Sequence, residues 1–216
     1  MRSYRQFCAL AKALDVVGDR WSLLIVRELL IRGPSRYTDI RAGLPGIATN
    51  LLADRLRELE RAGVVKRVAA PPPIATTLFQ LTDRGEELRA VVVAIGRWGS
   101  PLLAEASEDD EIQSHWLTLP LGARLADHAP ERPPVAIQVH TGDEPLVIEA
   151  AEGEVRSRVG TVERPDAVLA GPPRIVGGVL MGRIDLESAL RSGVRYEGDP
   201  EILRRVRPAA LAPGPA

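Results

Sequence analysis

Five residues between positions 50 and 61 have the types and the spacing to read a nucleic acid. At 100° per residue along a helix of about Thr49–Ala62, Asn50, Ala53, Asp54, Arg57 and Arg61 fall on one side. Leu52, Leu56 and Leu59 fall on the other, with Ala48 and Gly63 close by. An asparagine can bond adenine through two atoms, an arginine can bond guanine or hold a phosphate, and an alanine lets a groove approach closely. Thr49 is placed to cap the helix N-terminus, whose free N–H groups also attract phosphate. Arg55 sits on the flank of the apolar stripe, suited to an internal ion pair or a phosphate. Taken alone, such a helix is as well explained by a solvated face in an ordinary helical domain.

The segments on either side favour the nucleic-acid reading. A first helix is expected over about Phe7–Val17, with Leu10, Leu14 and Val17 in a stripe that Gly18 ends. Asp19 is placed to cap a second helix through Arg32, which Gly33-Pro34 stops. Ser35 would cap a short third helix, Arg36–Ala42, and Gly43-Leu44-Pro45-Gly46 would form the turn before the reading helix. After it, Val64–Val68 and Thr77–Thr82 suit a hairpin whose tip, Ala70-Pro71-Pro72-Pro73, resists both helix and sheet. Lys66 and Arg67 on that wing are candidate phosphate contacts, which position a protein without reading sequence. Thr82 would cap a long helix to about Leu103. Its stripe of Leu88, Val91, Val92, Ile95, Trp98 and Leu102 exceeds what a small core can cover. That excess suits a dimer interface shared with the first helix, or packing on a second domain.

Composition bounds the rest. The 216 residues are 45% hydrophobic and 26% charged, ordinary for a soluble globular protein with one large or two small cores. No stretch approaches the roughly 18 apolar residues of a membrane span. MRSYRQFC lacks an apolar signal segment, so a cytoplasmic location is expected. One cysteine excludes an internal disulfide framework. The net charge of −1 hides an asymmetry: residues 1–105 hold 16 Lys and Arg against 11 Asp and Glu, the remainder 12 against 18. A basic front and an acidic rear fit a nucleic-acid-binding module joined to something else. Lys12 and Lys66 are the only lysines, so the arginine content partly reflects composition and weakens any single arginine as a phosphate contact.

With these residues in place, the chain resembles the HxlR-type winged helix-turn-helix regulators, relatives of the MarR group. The matching pieces are Cys8 before Ala13-Leu14, the run Val17-Gly18-Asp19-Arg20-Trp21-Ser22-Leu23-Leu24, and Arg36-Tyr37-Thr38-Asp39-Ile40. Gly46-Ile47-Ala48-Thr49-Asn50, Arg55-Leu56-Arg57-Glu58-Leu59-Glu60 and Leu81-Thr82-Asp83-Arg84-Gly85 complete the match over residues 8–100. The resemblance implies a homodimer on an inverted-repeat operator of double-stranded DNA, with Arg36 added to the DNA-facing set. Ala48 departs from the serine of many members. Some members sense oxidants or electrophiles at the position of Cys8. Here Arg2 and Arg5 lie nearby in sequence and would favour thiolate, whereas the plainer role is a small apolar residue in a dimer contact.

The acidic break at 105–111 reads as a boundary, with Asp109-Asp110 a solvated linker rather than a carboxylate pair. Beyond it a helix is expected over Gln113–Asp127 and strands over Val135–Thr141, Leu146–Ala151, Val155–Val159 and Ala167–Ala170. Helices follow at Pro173–Met181 and Leu186–Leu190, a strand at Val194–Tyr196 and a helix at Pro200–Val206. Residues 208–216 read as a disordered tail. The whole is an α+β chain with domains at 1–105 and 112–207, the rear one an antiparallel sheet under helices. Pro165-Asp166-Ala167-Val168-Leu169, Gly182-Arg183-Ile184-Asp185-Leu186 and Gly198-Asp199-Pro200 resemble the sterol-carrier-protein-2-like fold. That resemblance implies an apolar tunnel for a hydrophobic small molecule, with Ile137, Val139, Ile148, Val176, Val179, Leu180 and Met181 as lining candidates or simply dry core.

His115, His128 and His140 match no short metal-ligand spacing, and no catalytic motif stands out. The expectation is therefore a DNA-binding transcriptional regulator, more readily a repressor, without enzyme activity, cofactor, metal or membrane partner. Its control would come from a hydrophobic ligand in the rear domain or from a Cys8 modification. The alternative is a hydrophobic-ligand carrier that uses the front domain only to dimerise.

Overall fold

The computed structural model describes residues 3–70, 76–107 and 109–209. The chain forms two compact units, Met1–Glu105 and Ala106–Ala216. In the front unit α1 spans Ala9–Val17, α2 Ser22–Arg32, α3 Tyr37–Ala42 and α4 Thr49–Arg61. Strands β1 (Val65–Ala69) and β2 (Thr77–Leu81) pair antiparallel from Val65 opposite Leu81 to Ala69 opposite Thr77. The expected proline tip between them lies outside the described residues. The hairpin is fastened to the helices by Ser35 and Phe79, which exchange two backbone hydrogen bonds of 2.9 and 2.8 Å. Ile25, Leu29, Ile40, Leu44, Leu52, Leu56 and Leu59 close the core, so α4 packs through the stripe its spacing predicts.

Three expected caps are replaced. Asp19 does not cap α2, which starts after Trp21 with no side-chain cap; its carboxylate pairs instead with Arg55. Ser35 does not cap α3, because its hydroxyl bonds the Gly33 carbonyl and the residue is buried beneath the hairpin. The α3 start is held by Arg36 and Asp39, with the Arg36 N–H donating to the Asp39 carboxylate at 3.2 Å. Thr49 is the first residue of α4, and the cap position falls to Ala48, whose methyl group can accept no hydrogen bond. The Thr82 hydroxyl does accept from the Gly85 N–H at 3.1 Å. It starts only the single turn α5 (Asp83–Glu86). A separate helix α6 follows at Leu88–Gly99 and continues as a 3₁₀ turn over Ser100–Glu105.

The turn before α4 depends on a buried carboxylate. Glu28, fully buried on α2, pairs with Arg27 at 2.7 Å and with Arg32 at 3.7 Å, and Arg27 donates to the Gly43 carbonyl at 3.1 Å. Gly43 lies directly against the Glu28 carboxylate, where a Cβ would collide with it. Gly46, at φ +82°, supplies the left-handed residue that completes the turn.

The rear unit is a mixed sheet, not the antiparallel one expected. Its strands are β4 (Val135–His140), β5 (Leu146–Ala151), β6 (Glu154–Val159), β7 (Ala167–Ala170) and β8 (Arg195–Gly198), in the order β6-β5-β4-β7-β8. β4 and β7 run parallel, and the other neighbours antiparallel. The helix expected over Gln113–Asp127 is a 3₁₀ turn at Ser114–Leu117, a short α7 at Thr118–Arg124 and a strand β3 at Leu125–Asp127. β3 is drawn out of helix by antiparallel pairing with β9 (Val206–Pro208). That pairing also orders the first two residues of the expected tail, with Ala209 N–H donating to Arg124 at 2.9 Å; residues 210–216 lie outside the described set. Helices α8 (Pro173–Leu180), α9 (Leu186–Arg191) and α10 (Pro200–Arg205) complete the unit.

A buried ion pair ties these late elements together. Arg205 donates to both Asp127 oxygens, at 2.7 and 2.9 Å, and also to the Pro133 carbonyl at 2.6 Å. These bonds from Arg205, outweighing burial, hold the Asp127 carboxyl well below its ordinary 3.8. Because the folded value is depressed, the stability it contributes is present above about pH 4 and is lost as pH falls through the folded value.

Two outcomes are expected. Asp127→Asn leaves Arg205 buried without its counter-charge. It should cost about 3–5 kcal/mol and flatten the acid limb of rear-unit unfolding followed by circular dichroism. Gly43→Ala should destabilise the front unit by about 1–3 kcal/mol in denaturant titration, because the added methyl displaces the Glu28 carboxylate.

Candidate nucleic-acid interface

The outward face of α4 is wet and polar. Asn50, Asp54, Arg57 and Arg61 are exposed, Thr49 is exposed at the first position, and Ala53 is half-buried between them. Their direction follows from Leu52, Leu56 and Leu59 on the opposite side, each at most 1% exposed. Asn50 turns its side-chain oxygen to the Leu51 N–H at 3.0 Å. Arg57 is paired with Asp54 one turn earlier, both side chains about half exposed. The first turn of α4 is held from α3: the Tyr37 hydroxyl donates to the Thr49 carbonyl at 2.5 Å, and Arg41 reaches the Thr49 hydroxyl at 3.4 Å. Arg55 is the internal ion-pair residue, bridging Asp19 before α2 and Glu58 on its own helix.

On the wing, Lys66 and Arg67 are both exposed. Arg67 pairs with Glu60 at 3.2 Å and lies over the Phe79 ring at 5.5 Å. Between the start of α3 and the wing is an open cleft of about 620 Å³, lined by Arg36, Tyr37, Thr38, Arg67, Thr76, Thr77 and Phe79. It brings Arg36 and Arg67 to one place, which their separation in sequence conceals. Tyr37, Thr38, Thr76 and Thr77 are not among the DNA-facing residues expected from sequence. Their hydroxyls belong to the class that bonds phosphate oxygens, and their sequence signal is the family-matching piece for Tyr37 and Thr38 and position on the wing for Thr76 and Thr77.

The remaining sequence candidates lie elsewhere. Cys8 is exposed and occupies the cap position of α1, its thiol making no cap bond. Of the first-helix stripe only Val17 is buried, while Leu10 is 68% exposed; α6 buries none of its residues, and its Trp98 is 78% exposed. In the rear unit Ile137, Val139, Ile148, Val176 and Leu180 are closed into one hydrophobic cluster, with Val179 and Met181 half-buried against it. His128 and His140 are exposed, whereas His115 is fully buried. Among the described residues no helix is long and apolar enough to cross a membrane.

Comparison with known proteins matches the front unit. The pattern of the HxlR-like helix-turn-helix family covers residues 16–107. YvaP, an HTH-type transcriptional regulator of Bacillus subtilis, is 39% identical over 89 residues, 41% of this chain and 82% of the relative. YodB, another HTH-type regulator of the same organism, is 35% identical over 86 residues, 40% of this chain and 76% of the relative. The solved reduced form of YodB aligns at a TM-score of 0.40 and 30% identity, over 47% of this chain and 100% of that one. The family is described by its helix-turn-helix, and both relatives are named as regulators of transcription. On the extent of the match to YvaP, the chain belongs to the HxlR-like helix-turn-helix family.

Proposed function

We propose that the protein is a sequence-specific DNA-binding repressor that acts as a homodimer on an inverted-repeat operator. The observation that carries this reading is the exposed face of α4, on which Asn50, Arg57 and Arg61 project from a helix seated by three fully buried leucines. α4 enters the major groove, where Asn50 and Arg57 meet base edges and Ala53 allows the approach. Thr49, Arg61, Lys66, Arg67 and Arg36 meet phosphates, Asp54 holds Arg57, and Arg55 ties α4 to Asp19. The bare apolar faces of α1 and α6 form the subunit interface; patches of this kind on a small unit mark interaction surfaces.

Control is exerted by any event that favours one spacing of the two reading helices over the other. Cys8 is suited to this by its exposure at the head of α1, beside the proposed interface. A hydrophobic effector in the rear unit, taken as sterol-carrier-like, must part α8 from the sheet. The half-buried Val179 and Met181 on and beside that helix are where such opening begins.

Binding to the DNA upstream of the chain's own coding region, measured by fluorescence anisotropy across a salt series, tests the interface. Arg57→Ala is expected to weaken operator binding by about 1–3 kcal/mol and relax the preference at one base pair. Lys66→Ala is expected to weaken all sequences alike and reduce the salt slope by about one. Equal behaviour of both variants and the parent removes α4 from the groove. The dimer is tested by Ile95→Asp combined with Trp98→Asp. Sedimentation should show a single subunit, and operator affinity should fall by about 10²–10⁴ as the second half-site contact is lost.

A further inference from the structure

We propose that His115, Asp143 and Glu144 form a binding site for a divalent transition-metal cation on the rear unit. The three residues come from two places, the 3₁₀ turn before α7 and the tight turn between β4 and β5, where Gly142 at φ +68° reverses the chain. One ligand atom from each side chain lies within 4.8 Å of the other two. His115 is fully buried, with its imidazole Nδ1 3.3 Å from the Glu144 carboxylate. Asp143 is exposed and Glu144 is 31% exposed, so the opposite side of the cluster opens to water.

The turn is built to present both carboxylates. Ser114 donates to one Asp143 oxygen from its N–H at 3.2 Å and from its hydroxyl at 2.8 Å, and its hydroxyl oxygen accepts from the Glu144 N–H at 2.9 Å. Ser114 is itself fully buried, which fixes the turn against the 3₁₀ segment. The Thr118 hydroxyl donates to the His115 backbone carbonyl at 2.7 Å, and Trp116 meets the imidazole edge-on at 5.9 Å.

A histidine–carboxylate bond alone would account for Glu144. Ser114 holds Asp143 in the turn, and this sets a second carboxylate beside the same imidazole, where like charges oppose each other. A neutral imidazole Nδ1 has a single N–H to donate, whereas a dication accepts all three groups and cancels both charges. Imidazole with carboxylates suits zinc, cobalt, nickel or iron(II) rather than calcium. Zinc–ligand distances of about 2.0–2.1 Å require neighbouring ligand atoms roughly 3.3 Å apart, and rotation of the two surface carboxylates supplies that closure. Three protein ligands with a solvent-facing fourth position leave room for a water or an incoming ligand.

The test is titration of the metal-stripped full chain with cobalt(II), followed by its visible absorption, and with zinc(II) in equilibrium dialysis. One ion per chain is expected. His115→Ala empties a core position and would confound folding with binding, so Asp143→Asn and Glu144→Gln are the working variants, checked for native circular dichroism. Each should weaken zinc binding by about tenfold or more, and the double variant should abolish the cobalt spectrum. Cys8→Ser and His140→Gln should bind as the parent does. Undiminished binding in the folded double variant, loss of the ion in Cys8→Ser, or uptake no greater than that of isolated surface carboxylates would each overturn the proposal.

Discussion

The geometry of the front unit rests on a charge removed from water. Glu28 has no exposed surface, and it is neutralised by Arg27 and Arg32 from its own helix. Burial pushes the Arg27 guanidinium down, and Glu28 opposes that shift by favouring the charged form. The same guanidinium reaches the carbonyl of Gly43, so one arginine both satisfies the carboxylate and fixes the point at which the chain leaves α3. A buried charge with its partners is stiff in direction because any displacement strands a charge in a low-dielectric surround. The turn into α4 inherits that stiffness. Tyr37 and Arg41 then hold the first residue of α4, so that helix is positioned from both the α2 and the α3 side.

Much of this architecture is legible in the residues because the determinants are local. Gly33-Pro34 stops α2, Gly43 to Gly46 turns the chain, and a leucine stripe of helical period orients α4. The strands at Leu146–Ala151 and Ala167–Ala170 follow from short apolar runs bounded by turn residues. What escapes is the use of a polar group by a distant partner. Asp19 has the right type and place to cap α2, yet Arg55, 36 positions later, takes it. Ser35 is a good cap by type, but the hairpin encloses it.

The rear unit shows the same limit more sharply. β3 and β9 are each three residues long, too short to carry a periodic signal, and they exist because they pair across 79 or more positions. The parallel contact between β4 and β7 needs a crossover that no neighbouring pattern announces. Asp127 and Arg205 are an ordinary acid and an ordinary base in sequence, and only the fold makes them a buried bidentate pair. His115 matches no ligand spacing in sequence, and only the β4–β5 turn brings two carboxylates to it. The cleft between α3 and the wing joins Arg36 to Arg67 for the same reason, through the Ser35–Phe79 bridge.

The pairing of Arg57 with Asp54 has a consequence for selectivity. An arginine already holding a carboxylate has little net attraction for a random stretch of polyanion, so indiscriminate sliding contacts gain little from it. Only a partner with two acceptors in the right plane can compete with the acid for the fork of N–H groups. On the proposed reading face the acid would therefore act as a filter, lowering grip on every sequence while lowering it most on the wrong ones.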